Sequence, residues 1–380
     1  MASLRTVDIF CQVVDNFGDI GVSWRLARQL SMEHGLDVTL WVDDLNSFRR
    51  ICLAVNLARS IQRIDGVNIC HWNDEALLPA RPIGDVVIEA FGCRLPESFL
   101  ARMAACKPKP VWINLEYLSA EPWIDGCHAM ASPHPQLPLT KYFFFPGFSE
   151  KSGGLLMENG LAAQRDAFQA DAVCQAVFLK ALVGRSCDMH ATRVSLFCYP
   201  DAPVEPLFRD WQRGSEPVLC LVPEGVATTA VQAFLRQPAL SGAHARQGNL
   251  SLHVIPFVDQ LTYDRVLWAC DVNFVRGEDS FVRAQCATKP FVWQIYRQDE
   301  NTHLVKLDAF LDRYTDGLPP DTAAMVRSAW HGWNGRGAFH WRAIGEARAE
   351  LVAHAHRWAG AMSRRSDLAA NIIGFAGKIG

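Results

Sequence analysis

Apolar residues fall along this chain in short unbroken runs separated by stretches of helical period. That is the pattern of strands buried on both faces with helices between them. Val7–Val14 reads as the first strand and Val22–Leu30 as the helix after it. Asp37–Val42 is a second strand, followed by a helix through Ser47–Asn56 and a strand near Val67–Trp72. Asp85–Ala90 and Val111–Leu115 are two more buried strands, and the βαβα rhythm predicts a parallel, doubly wound sheet. Around Lys141–Gly154 the rhythm breaks in an aromatic, Pro- and Gly-rich stretch, and one helical segment, Leu161–Leu182, leads into a second cycle. Its strands are expected at Arg193–Tyr199, Val218–Val222, Leu250–Ile255, Val272–Val275 and Phe291–Trp293, with a long, largely helical end at Ile344–Ala376.

At 380 residues the chain exceeds one ordinary core, which agrees with two cycles as two domains. The fold class predicted is α/β, with two Rossmann-like domains facing a cleft, as in B-type glycosyltransferases and some sugar-nucleotide epimerases. The first domain is expected over 1–155, rejoined by a returning helix at 360–380; a linker follows over 156–184, and the second domain over 185–359. A net charge of −3 gives neither a nucleic-acid track nor a basic membrane face. No apolar run approaches the roughly 18 residues of a membrane span, and no signal pattern opens the chain. Twelve cysteines without a Cys-x-x-Cys pair suggest reduced thiols, a cytoplasmic location and no zinc site.

Chemistry concentrates in two loops. Asp15-Asn16-Phe17-Gly18-Asp19 lies between the first strand and its helix, at the carboxyl edge where open sheets bind ligands. Two acids beside Gly18, which lets a ligand near the backbone, suit a cationic or hydroxylated ligand better than a phosphate. The same two acids also fit as turn and helix caps. In the second cycle Arg276-Gly277-Glu278-Asp279-Ser280 again joins a strand to a helix, Phe281–Ala287, with Asp279 or Ser280 as its cap. A helix N-terminus with an arginine fork is an anion site for a diphosphate, leaving Glu278 to a sugar hydroxyl. A local Arg276–Glu278 ion pair with an ordinary cap fits equally. Phe257 is placed to stack on a base and Gln260 to read its edge, and Tyr199 ends another strand; each aromatic also fits as core.

In combination these residues resemble a known family. Val13–Gly21 with Trp24–Leu30, Ile113–Glu121, Phe143–Phe148, Arg276–Gln285 and Lys289–Tyr296 closely resemble the bacterial elongation factor P arginine rhamnosyltransferases over nearly the whole chain. The resemblance implies an acceptor domain first and a domain binding TDP-β-L-rhamnose second. It implies transfer of rhamnose, with inversion, to one arginine of elongation factor P, which then rescues ribosomes stalled on polyproline. It makes Asp15, Asp19 and Glu278 the catalytic residues. Asn16, Phe17, Gly18, Arg276, Gly277, Asp279, Ser280 and Tyr296 become substrate contacts, and Phe257, Gln260 and Tyr199 the nucleotide pocket.

The chemistry suits the residues. A guanidinium stays protonated and its nitrogens are poor nucleophiles, so the enzyme must orient it and accept a proton. Asp19 is expected as general base and Asp15 as the grip on the guanidinium. The Asp-x3-Asp spacing lacks the close Asp-x-Asp that holds a cation against a sugar diphosphate, so no metal or other cofactor is expected. Glu116, Glu121, His128, His134 and His303 read as surface or core residues, and Trp330–Trp341 as a packed segment rather than a nucleic-acid face. The alternatives carried are a sugar-nucleotide 2-epimerase and a non-catalytic protein that binds a translation factor.

Overall fold

The computed structural model describes residues 4–15, 17–73 and 77–380. The first eight strands are β1 (Thr6–Cys11), β2 (Asp37–Val42), β3 (Ile61–Ile64), β4 (Val67–His71), β5 (Val86–Ala90), β6 (Val111–Leu115), β7 (Met130–Pro133) and β8 (Thr140–Phe144). They form one sheet in the order β3-β4-β2-β1-β5-β6-β8-β7, parallel except for the antiparallel edges β3 and β7. From β1 the chain moves out to β2 and β4, then returns to lay β5 on the other side of β1. The break in strand order therefore lies between β1 and β5. Their last residues, Cys11 and Ala90, are in register. Under the sheet Phe10 stacks on Trp41 (5.4 Å) and meets Phe99 edge-on (4.7 Å), a contact that ties three elements to one ring.

The first strand ends at Cys11, not Val14, because the chain turns off the ladder there and the Val13 amide donates to Asp43 Oδ1 (2.9 Å). The aromatic stretch expected to break the rhythm begins as a strand, β8. Its Tyr142 and Phe144 are good strand formers, and both rings pack on Phe375 (5.1 and 5.7 Å). Phe375 belongs to the helix Leu368–Ile379, which returns to this sheet. The join is a clasp: Leu368 N donates to Leu155 O (2.9 Å) and Met157 N to Asp367 Oδ1 (3.0 Å). Gly154 there has φ +81°, and a Cβ on it would lie 2.2 Å from Ser366 O, so only glycine fits.

The second sheet holds β9 (Thr192–Leu196), β10 (Val218–Pro223), β11 (His244–Gln247), β12 (Leu250–Ile255), β13 (Val272–Arg276) and β14 (Phe291–Gln294). Its order is β11-β12-β10-β9-β13-β14, again parallel but for one edge, β11. Here the strand order breaks between β9 and β13. The tryptophan-rich tract is packed: Trp330 stacks on Phe310 (5.7 Å) and meets Phe291 (5.1 Å), and Trp333 is buried.

The chain divides into two compact units, Met1–Asn159 with Ser363–Gly380, and Gly160–Met362. The stretch expected to link them, 156–184, is instead largely two helices of the second unit, Leu161–Ala170 and Ala172–Val183. Asp171 breaks what read as one helix: its side chain accepts from Cys174 N and caps the second (2.8 Å). Gln169 Nε2 from the first of them donates to Ala287 O (2.9 Å), which fixes it to the second unit. Among the described residues, no helix is long and apolar enough to cross a membrane.

Candidate functional site

The loop after β1 is held by its own acids. The helix Gly18–Met32 starts directly after Phe17, which caps it without a side-chain hydrogen bond. Asp19, in the first turn and 1% exposed, points back: its Oδ2 accepts from the amides of both Val14 and Asp15, each at 2.8 Å. It braces the loop rather than capping the helix. Gly18 N donates to Asp15 O (2.6 Å), and a Cβ on Gly18 would lie 2.8 Å from Asp15 Oδ2. Glycine thus lets the half-buried Asp15 carboxylate settle over the helix's first turn, where the positive end of the helix dipole favours it. Phe17 packs under Arg50, whose guanidinium carbon is 5.9 Å from the ring centre. Asn16 lies outside the described residues. Asp43, whose carboxyl burial pushes upward, anchors the loop's start through Val13. Sequence reasoning missed Asp43; the signal was an acid pair, Asp43-Asp44, closing a neighbouring strand.

The second cluster sits where the strand order breaks between β9 and β13. Arg276 ends β13, and its guanidinium carbon lies 4.7 Å from the Phe197 ring centre and 4.4 Å from that of Tyr199. Tyr199, expected in the nucleotide pocket, and Phe197 flank the arginine. Tyr199 also meets Tyr296 edge-on (5.6 Å), and Phe197 meets Phe257 (6.1 Å). The Tyr199 backbone is fixed by Gln294, whose Oε1 accepts from its amide (2.7 Å). Gln294, a buried strand residue, gave no signal in the sequence.

Gln260, expected to read a base edge, is buried and donates through Nε2 to Asp279 Oδ2 (3.0 Å), so its amide is turned to the helix. Ser280 does not cap either. Its hydroxyl donates to Arg276 O and accepts from Arg276 N, closing the turn that starts the helix Asp279–Cys286. Glu278 is the residue before that helix, with no side-chain cap, which corrects the expected Asp279 or Ser280 cap. Gly277 takes a left-handed φ of +61°, and its carbonyl accepts from Trp293 Nε1 (2.8 Å). Below, Phe281 stacks on Trp293 at 3.9 Å and the buried pair Arg283–Asp264 (3.3 Å) holds the helix.

The structure therefore gathers the predicted residues into two sets, each at a break in strand order. Asp15, Phe17, Gly18 and Asp19 share one loop of the first unit. Tyr199, Phe257, Gln260, Arg276, Gly277, Glu278, Asp279, Ser280 and Tyr296 surround one turn of the second, with Tyr296 exposed at 47%. The first set brings together two carboxylates, Asp15 half-buried and Asp19 buried against the loop's own amides. The second offers an arginine fork and a helix N-terminus to an anion. Sequence reasoning also missed Phe91 and Tyr117, which stack at 4.5 Å beside the first set. The signal was an aromatic before a glycine, Phe91-Gly92, at the end of a buried strand.

The family model for the elongation factor P (EF-P) rhamnosyltransferase EarP matches residues 7–377. A protein-arginine rhamnosyltransferase of Pseudomonas putida is 46% identical over 376 residues, covering 97% of this chain and 98% of that protein. Another, of Pseudomonas aeruginosa, is 47% identical over 374 residues, covering 97% and 98%. Among solved structures, one described as the structural basis for EarP-mediated arginine glycosylation of translation elongation factor EF-P superposes with a TM-score of 0.71 at 34% identity. It covers 98% of this chain and 99% of that one. The spinosyn rhamnosyltransferase SpnG, 12% identical with a TM-score of 0.50 over 98% of this chain and 100% of that one, shares the fold.

Proposed function

Since the chain belongs to the EF-P rhamnosyltransferase family EarP and is a protein-arginine rhamnosyltransferase of B-type fold, we propose that it moves L-rhamnose from TDP-β-L-rhamnose to an arginine of EF-P, with inversion. The modified factor would then act on ribosomes stalled at polyproline. The observation that carries this reading is the acid pair Asp15 and Asp19 fixed on one loop where the first sheet's strand order breaks.

The chemistry follows from what each group can do. Asp15 grips the acceptor guanidinium and localises its charge on the far nitrogens. The near nitrogen attacks the sugar's anomeric carbon as the bond to the diphosphate oxygen breaks, in one displacement that inverts the centre. The proton released goes to Asp19, whose plane is set by the two amides on Oδ2. Its burial strengthens its pull on a cation. Arg276 and the N-terminal end of the helix Asp279–Cys286 take up the charge of the departing diphosphate. Glu278, in that turn just before the helix, holds a sugar hydroxyl. Tyr296 and Phe257 supply ring faces for the sugar and the base.

The test is intact-mass spectrometry of EF-P incubated with this protein and TDP-β-L-rhamnose. The expected result is a gain of one deoxyhexose on a single arginine. An unchanged mass, with donor binding shown by calorimetry, would overturn the reading. Charge neutralisation by Arg276 and the helix end also predicts that transfer continues in excess EDTA; collapse with chelator and recovery on adding manganese or magnesium would contradict it.

A further inference from the structure

Three strand ends lie side by side at the carboxyl edge of the first sheet. Cys11 of β1 is in register with Ala90 of β5, and Ala90 with Leu115 of β6. Gln12, Phe91 and Glu116 therefore open three neighbouring loops, spaced by about 5 Å from strand to strand. The first carries Asp15 and Asp19. The third begins with the carboxylate of Glu116, to which Asn114 Nδ2 donates.

The second begins with an anomaly. Phe91 has a left-handed φ of +57°, a region that bulky residues avoid. The conformation is held from three sides: Phe91 N donates to Leu115 O (2.7 Å), Cys93 N to Ala90 O (3.2 Å) and Cys93 Sγ to Phe10 O (3.1 Å). The strain does not serve the core, because Phe91 is only half-buried. It lays the ring on Tyr117, 4.5 Å away and tilted by 20°, and Tyr117 is 39% exposed. A strained aromatic pair at the surface, between a loop with two acids and a strand end with a third, has the composition of a seat for a flat cation. A guanidinium stacks on such rings and is weakly hydrated, whereas an ammonium is compact and strongly hydrated. Carboxylates read the guanidinium's fork, and the rings add a preference for its flat face.

We infer that the Phe91–Tyr117 pair is the seat on which the acceptor guanidinium lies, and that it selects arginine over lysine. The inference rests on the reading of EF-P arginine as acceptor. Its test is a binding cycle that needs no transfer. The affinity of the enzyme and of its Tyr117→Leu variant is measured for EF-P and for EF-P with its acceptor arginine changed to lysine. Loss of the ring is expected to weaken binding of the arginine factor by about 2- to 30-fold and that of the lysine factor not at all. Tyr117→Trp, which keeps a ring face, binds the arginine factor as the parent does. Phe91→Asn, which accepts the left-handed backbone without the ring, gives the same coupling as Tyr117→Leu. Equal weakening of both factors, or none, overturns the inference. A parent enzyme that adds no deoxyhexose yet shows the coupling would sink the proposed reaction and leave the seat standing.

Discussion

Replacing Asp19 by Asn is expected to lower turnover by about 10²- to 10⁴-fold, the usual worth of a positioned proton acceptor, while TDP-rhamnose affinity stays within a few-fold of the parent. The choice of Asn matters because Asp19 has two jobs. Its Oδ2 accepts from the Val14 and Asp15 amides, and an Asn carbonyl oxygen can accept both, so the loop keeps its shape. What is lost is the charge and the basicity. Asp19→Ala removes both jobs and leaves two amides without their acceptor, so it is expected to lower the melting temperature as well. Single-turnover kinetics beside donor calorimetry separate the cases. An Asn variant with near-parental turnover would reduce Asp19 to a brace, and a large loss of donor affinity would move it to the donor side.

Arg276→Lys is expected to weaken TDP binding by about 10- to 150-fold, although the charge is kept. The guanidinium carbon sits 4.7 and 4.4 Å from the ring centres of Phe197 and Tyr199, so the group is held in place before any ligand arrives. Lysine brings a hydrated point charge on a flexible stem and cannot present two parallel donors to a phosphate. The backbone of the turn is held separately, by the Ser280 hydroxyl on Arg276 N and O, and should survive the change. Calorimetry with TDP alone reads the effect. An unchanged affinity would remove Arg276 from the anion seat.

The parts of this protein that its sequence discloses are those where one local cause dominates. Central strands such as β5 and β6 are buried along their whole length and apolar but for one residue each, Glu89 and Asn114, and their limits are close to those expected. The edge strands β3, β7 and β11 are four residues each and partly polar, so they leave no period to read. The two loops were legible as loops, because acids and glycines between a strand and a helix have few other uses. Who bonds to whom inside them was not. Gln260 meets Asp279 across 19 residues and Gln294 meets Tyr199 across 95, and no spacing rule reaches that far. Arg276 and Tyr199 read as separate contacts of the donor, one to the diphosphate and one to the nucleotide, because one-dimensional order hides that β9 and β13 are neighbours. Phe91 escaped for a different reason: its left-handed backbone is one that phenylalanine normally avoids, and only the following Gly92 points to a turn there.

The clasp that joins Gly154 and Leu155 to Ser366–Leu368 sets an order of events during synthesis. The ribosome makes the strands of the first sheet early, yet the helix that covers Tyr142 and Phe144 emerges only after all of Gly160–Met362. At about 5–20 residues per second that interval is on the order of 10–40 s. For that time the aromatic face of β8 lacks its cover, while the second unit, continuous in the chain, is free to finish first. The half that carries Asp15 and Asp19 is thus the last to mature. A chain released before residue 368 would keep every element of the second unit but lack the helix that seals the acid-loop domain, leaving β8's aromatic face open to chaperones and proteases.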